Sequence, residues 1–144
     1  MVQRKHFYSL HLLDERLRRL IMLNFILTNH WWDEYESGRK THEYRIRNTY
    51  WDTRVRNALI QKFDEERGLD FFRRLTTPSS ITEISVIRFP KDLTLQCLFG
   101  RAYTSKHGWA SIPSICIKNG KDTDLKADDW VYDFEISEFS CLPF

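Results

Sequence analysis

Cysteine is scarce in this chain and poorly placed for pairing. Cys97, Cys116 and Cys141 are odd in number and widely spaced, with no C-x-x-C pair. That argues against a disulfide framework or a thiolate zinc site, and for reduced thiols in a cytoplasmic setting. The five histidines offer no metal site either, since His6 and His11 are five apart rather than four and the others stand alone. No metal or other cofactor is therefore expected. Long apolar runs are absent: the greasiest, 20–27, is interrupted by Asn24 and falls far short of the roughly 18–20 residues that span a bilayer. After Arg4 and Lys5, charged Asp14, Glu15 and Arg16 stand where a signal peptide needs an apolar stretch. No membrane partner is expected. The chain also lacks G-x-S-x-G, a P-loop and a Rossmann glycine fingerprint, so nucleophilic catalysis and dinucleotide cofactors have little support.

What the chain does have is rings and a concentrated patch of positive charge. With 144 residues, it suits one domain able to bury a core without staples. Aromatic content is 15%, and rings beyond what a core needs suit base stacking. Between Arg39 and Arg56, six cations (Arg39, Lys40, Arg45, Arg47, Arg54, Arg56) face two acids, Glu43 and Asp52. This local charge of +4 sits in a chain of net +2, so a mild overall balance conceals a basic patch.

The stretch around that patch can be read locally. Residues 23–27 are short and apolar, suited to a buried strand. Thr28 or Asn29 can cap a helix of about two turns, with Gly38 just past its end and Trp31, Trp32 and Tyr35 on one side. After Gly38 the period becomes two. His42, Tyr44 and Ile46 are expected to face the core, with Thr41, Glu43 and Arg45 on the opposite face.

The run Gly38-Arg39-Lys40-Thr41-His42-Glu43-Tyr44-Arg45, preceded by an aromatic helix and followed by a Trp51–Arg54 cluster, resembles the signature of ASCH domains. These are small β-barrel domains related to the PUA and YTH-like RNA-binding folds. The likeness covers residues 31–56 and takes the form G-x-K-x-x-E-x-R. It implies a pocket near the Gly–Lys turn that binds RNA or a nucleotide. Some relatives hydrolyse acylated cytidine and others are described as ribonucleases. The amidohydrolase members carry a threonine where this chain has Glu43, and that threonine belongs to their lysine–threonine–glutamate catalytic set. Thr41 lies one strand repeat away, roughly 6.5–7 Å, and cannot simply replace it.

Elsewhere the pattern predicts an amphipathic N-terminal helix over about 6–22, with Arg16, Arg18 and Arg19 on its outer side. A helix over 53–67 is capped by Asp52 or Thr53 and ended by Gly68, and a short helical piece follows over 69–75. Residues 76–80 form a loop. Four strands are expected over 84–89, 93–104 with a bulge at Gly100, 112–118 closed by an Asn119-Gly120 turn, and 131–139. The resulting expectation is an α+β fold, a small mixed barrel of PUA/ASCH type with flanking helices around an early strand pair, in a single domain spanning 1–144. In the acidic stretch 122–138, one or two carboxylates are expected to offset the basic patch.

Three functions follow. The first is a module binding RNA, another single-stranded nucleic acid or a modified nucleotide, with binding that weakens steeply with salt. Lys40 and Arg45 would take phosphate or a base edge and Glu43 would orient Arg45 or accept from an exocyclic amine, unless Glu43 and Arg45 form only a surface ion pair. Trp51 or Trp32 would serve as a stacking platform, and Arg47, Tyr50 and Arg54 would extend it. Tyr103 and Ser105, in a polar loop over 105–109 or just before it, could reach toward the pocket. The second is a hydrolase of ASCH type acting on RNA or a modified nucleoside, a ribonuclease or amidohydrolase, with Lys40 and Glu43 in acid–base roles. The third is an interaction or inhibitory module that sets its basic face against an acidic protein.

Overall fold

A computed structural model describes residues 23–77 and 85–141. The helix expected over 6–22 and the loop residues 78–80 lie outside them, as does the first residue of the strand expected over 84–89.

Among the described residues the order is β1 (Leu23–Leu27), α1 (Asn29–Glu36), β2 (His42–Ile46), α2 (Thr49–Phe63), α3 (Glu65–Thr76), β3 (Ser85–Arg88), β4 (Leu95–Arg101), β5 (His107–Ile112), β6 (Ser114–Asn119), β7 (Trp130–Glu135) and β8 (Ser137–Cys141). The strands form two four-stranded sheets, ordered β1-β4-β5-β8 and β2-β7-β6-β3. β1 runs parallel to β4, and every other pairing is antiparallel. The fold is α+β. No ladder joins the two sheets among the described residues, so they stand as separate sheets where a closed barrel was expected. The expected early strand pair is also corrected: β1 and β2 belong to different sheets, each as an edge strand.

One core holds both sheets. Phe25 of β1 lies 5.3 Å from Phe99 of β4 and 5.1 Å from Phe134 of β7, ring centroid to centroid, which ties one sheet to the other. α1 closes one end by packing Trp32 against Phe139 and Tyr35 against Phe99. α2 lays Val55, Ala58 and Leu59 into the same core.

Several boundaries moved for identifiable reasons. α2 starts at Thr49 rather than 53 because the Asn48 side chain accepts from the Trp51 N–H at 2.9 Å, where Asp52 or Thr53 was expected to cap. It ends at Phe63, where Asp64 takes φ 91 and caps the next helix through the Arg67 N–H. Gly68 therefore ends nothing. It sits inside α3 against Ile60 of α2, where a Cβ would stand 2.6 Å from backbone. Glycine is needed there for the helices to touch.

Pro113 separates β5 from β6 within the run 112–118, and the polar loop expected over 105–109 is strand from His107 onward, where β5 pairs with β4. Gly100 carries no bulge, since it pairs in register with His107. The run 131–139 breaks at Ile136. Its N–H bonds the Thr41 carbonyl at 2.8 Å before the chain crosses into the other sheet as β8. The Asn119-Gly120 pair opens a long loop, 120–129, and not a two-residue hairpin turn. Gly120 is the hub of that loop: its N–H donates to the Asp129 carbonyl, and its own carbonyl accepts from the Thr123 and Ala127 N–H groups.

Candidate functional site

The edge strands β1 and β2 do not pair, and a pocket of about 270 Å³ opens between them. Ile26 and Leu27 of β1 form one side, and Glu43, Tyr44 and Arg45 of β2 the other. Trp31 of α1 makes a wall, while Lys40 and the loop residues Asp124 and Leu125 close the rim. The volume lies just below the roughly 300–1,000 Å³ typical of small-molecule sites.

Glu43 lies at the base. It is 6% exposed, so the inward face of β2 is the one carrying Glu43, contrary to the expectation for His42, Tyr44 and Ile46, which are all half-buried. The register explains the inversion. Glu43 lies directly opposite the core residue Phe134, whereas Tyr44 lies opposite Asp133. Strand periodicity identified the two faces, and the cross-strand partner decided which of them turned inward.

Both Glu43 oxygens are engaged. Oε1 accepts the Tyr35 hydroxyl at 2.8 Å, and Oε2 accepts Arg45 through Nε at 2.8 Å and Nη2 at 2.7 Å. Burial, then the adjacent Glu43 charge, pushes the Tyr35 phenol far above its usual range, so Tyr35 stays a donor. Arg45 bridges the gap between sheets by donating to the Ile26 carbonyl at 3.4 Å. Its guanidinium also rests 5.3 Å from both the Phe25 and Trp51 rings. Glu43 and Arg45 are thus a sheltered pair beneath a pocket, and the surface ion pair of the alternative reading is set aside.

Lys40 reaches in from the turn that Gly38 makes at φ 80, a left-handed conformation that glycine favours. Its ammonium stands 4.6 Å from the Trp31 ring centroid, 5.1 Å from Tyr44 and 5.7 Å from Tyr35, and pairs with the Asp124 carboxylate. Three rings and one acid hold a single cation, an arrangement stabilised by the ring quadrupoles. Asp124 is set in place by its buried neighbour Thr123, whose hydroxyl bonds the Gly120 carbonyl at 2.8 Å. This is one of the carboxylates expected to offset the basic patch.

No family model, curated protein or solved structure matches this chain. The site therefore has to be read from its own atoms.

The structure brings Lys40, Glu43 and Arg45 together as expected. It separates others. Trp32, offered as a platform, is 1% exposed and belongs to the core; the indole at the pocket is its neighbour Trp31. Arg47 turns away to donate to Asp52 at 3.1 Å, and Asp52 also accepts the Tyr132 hydroxyl. Tyr50, Trp51 and Arg54 line a second pocket of about 260 Å³ with Asn24 and Ile26. Tyr103 and Ser105 line neither pocket, and Tyr103 stands wholly in solvent at φ 62.

Sequence reasoning missed Tyr35 as the partner of Glu43 and Asp124 as the partner of Lys40. The first was available from helical spacing, which put Tyr35 on the aromatic face. The second is 84 residues away in sequence, and only the long 120–129 loop reveals it. Charge is also less concentrated than the window 39–56 implies. Arg39 pairs with Glu34, Lys40 with Asp124, Arg45 with Glu43 and Arg47 with Asp52. Among the described residues, no cluster of His, Cys, Asp and Glu could hold a metal, and no helix is long and apolar enough to cross a membrane.

Proposed function

We propose that the pocket between β1 and β2 binds one nucleotide, free or within a single-stranded nucleic acid, in the manner of an ASCH domain. On this reading the two sheets are an open form of the small barrel of PUA/ASCH type. The observation that carries the reading is the pairing of a half-buried indole wall, Trp31, with two cations, Lys40 and Arg45, that reach the same cavity from one strand and the turn before it. A base needs a flat apolar face for stacking and a donor for its edge or phosphate, and these residues offer both. Glu43 acts by holding Arg45 in one orientation.

Asp124 occupies the place an incoming phosphate would take on Lys40. Binding then exchanges one anion for another at Lys40, so the salt dependence is shallower than the basic window alone would give. Hydrolysis has less to stand on. Both Glu43 oxygens already accept hydrogen bonds, and the other carboxylate lining the cavity, Asp124, is paired with Lys40.

Titration with the four ribonucleoside monophosphates, followed by tryptophan fluorescence, tests this directly. Saturable binding is expected, weakened roughly 5-fold or more in Trp31→Ala by loss of the stacked face and also weakened in Lys40→Gln. No binding by any monophosphate, or binding indifferent to both substitutions, would sink the reading.

A further inference from the structure

The second pocket shares a wall with the first. Ile26, 58% exposed on β1, lines both, and Arg45 of the first pocket rests its guanidinium against Trp51 of the second. The two cavities therefore lie side by side along the free edge of β1. The Ile26 carbonyl points to that edge, since Arg45 reaches it there. Asn24, two residues back, presents its peptide group to the same edge, because alternate residues of a strand do so.

The chemistry of the second pocket is that of a stacking site with a polar reader. Tyr50 is 56% exposed, and its ring meets Trp51 edge to face at 5.3 Å. Trp51 is backed by Phe25, stacked at 5.4 Å, so it is held firmly from behind. The Arg54 guanidinium lies 4.8 Å from the Tyr50 ring and adds positive charge at the mouth. Asn24 contributes an amide able to donate and accept at a base edge. Rings interleaved with arginine beside a nucleotide-sized cavity fit a second base and its phosphate.

We infer that the second pocket holds the nucleotide next to the one in the first pocket, so the ligand is a single strand of at least two nucleotides and not a free nucleotide. This rests on the nucleotide reading of the first pocket and deepens it. Ile26 and Arg45 form the partition between the two bases, and the linking phosphate runs past them along the open edge of β1.

The test compares a random-sequence hexanucleotide pool with the four monophosphates on the whole chain, by fluorescence anisotropy and competition. The hexanucleotide is expected to bind roughly 10-fold or more tighter than the best monophosphate, the gain of one further stacked base. Tyr50→Ala should remove most of that gain and Arg54→Gln should reduce it, while monophosphate binding read at Trp31 of the first pocket keeps its affinity. Circular dichroism checks that the exposed Tyr50 can be replaced without unfolding, and Arg54→Gln is a second variant that keeps the rings. If monophosphates bind and the hexanucleotide binds no tighter, or if Tyr50→Ala weakens both ligands equally, the two-pocket inference fails while the first pocket stands. If neither ligand binds, both readings fail. An acidic peptide bound in place of the hexanucleotide would also overturn the inference.

Discussion

Glu43 and Asp133 are two carboxylates buried to the same degree, 6% exposed, on neighbouring strands of one sheet. They face opposite ways. Glu43 points into the space between the sheets and is held by Tyr35 and Arg45. Asp133 points out of the other face, where His42 Nδ1 lies 2.6 Å and Lys118 Nζ 3.0 Å away. The difference is in the partners. Tyr35 is a core residue that water cannot reach if the acid is lost, whereas the Arg45, His42 and Lys118 side chains are 26%, 39% and 31% exposed. An identical burial figure therefore describes two physical situations. One is a charge whose partners depend on it beneath a cavity, and the other is a charge that braces a surface patch.

Removing each acid separates the two. Glu43→Ala is expected to lower unfolding free energy by about 3 kcal/mol, because it leaves the Tyr35 hydroxyl without an acceptor in the core and Arg45 without its counter-charge. Urea denaturation measures it. Tyr35→Phe removes only the donor to Oε1 and should cost about 1.5–3 kcal/mol. Asp133→Asn should cost about 1 kcal/mol, since water can serve His42 and Lys118. If Asp133→Asn costs as much as Glu43→Ala, the distinction between the two acids is wrong.

The smallest expected effect is one of pH. Burial, then the charge of Asp133, pushes the Cys116 thiol up to about 11 from its ordinary 9.0. Its folded-state value is raised, so its contribution to stability is intact below pH 9 and declines as pH rises toward 11. Asp133→Asn should move the thiol part of the way back, with burial retaining the rest. The pH dependence of alkylation reads this, and no movement would mean that Asp133 does not act on Cys116.

Local chemistry was the legible part of the sequence. The apolar run of β1, the aromatic face of α1 and the left-handed Gly38 all follow from neighbouring residues, and the structure has them where spacing put them. Decisions made by distant residues were not legible. Which face of β2 turned inward depended on Phe134, and the pairing of Lys40 depended on Asp124. Gly68 was read as a stop signal because its role, contact with Ile60, is invisible without the second helix. Of the site, the cations and Glu43 were readable from the motif-like run. The indole at the pocket was misassigned between adjacent positions, since a two-turn helix does not say which of Trp31 and Trp32 its neighbours will bury.

The most direct measurement is the indole N–H signal of Trp31 by NMR as a ribonucleoside monophosphate is added, with the buried Trp32 as an internal reference. The Trp31 signal should shift and saturate along one binding curve while Trp32 stays nearly still. A Trp31 signal unmoved at saturating nucleotide, with binding registered elsewhere on the chain, would contradict the assignment of the cavity between β1 and β2.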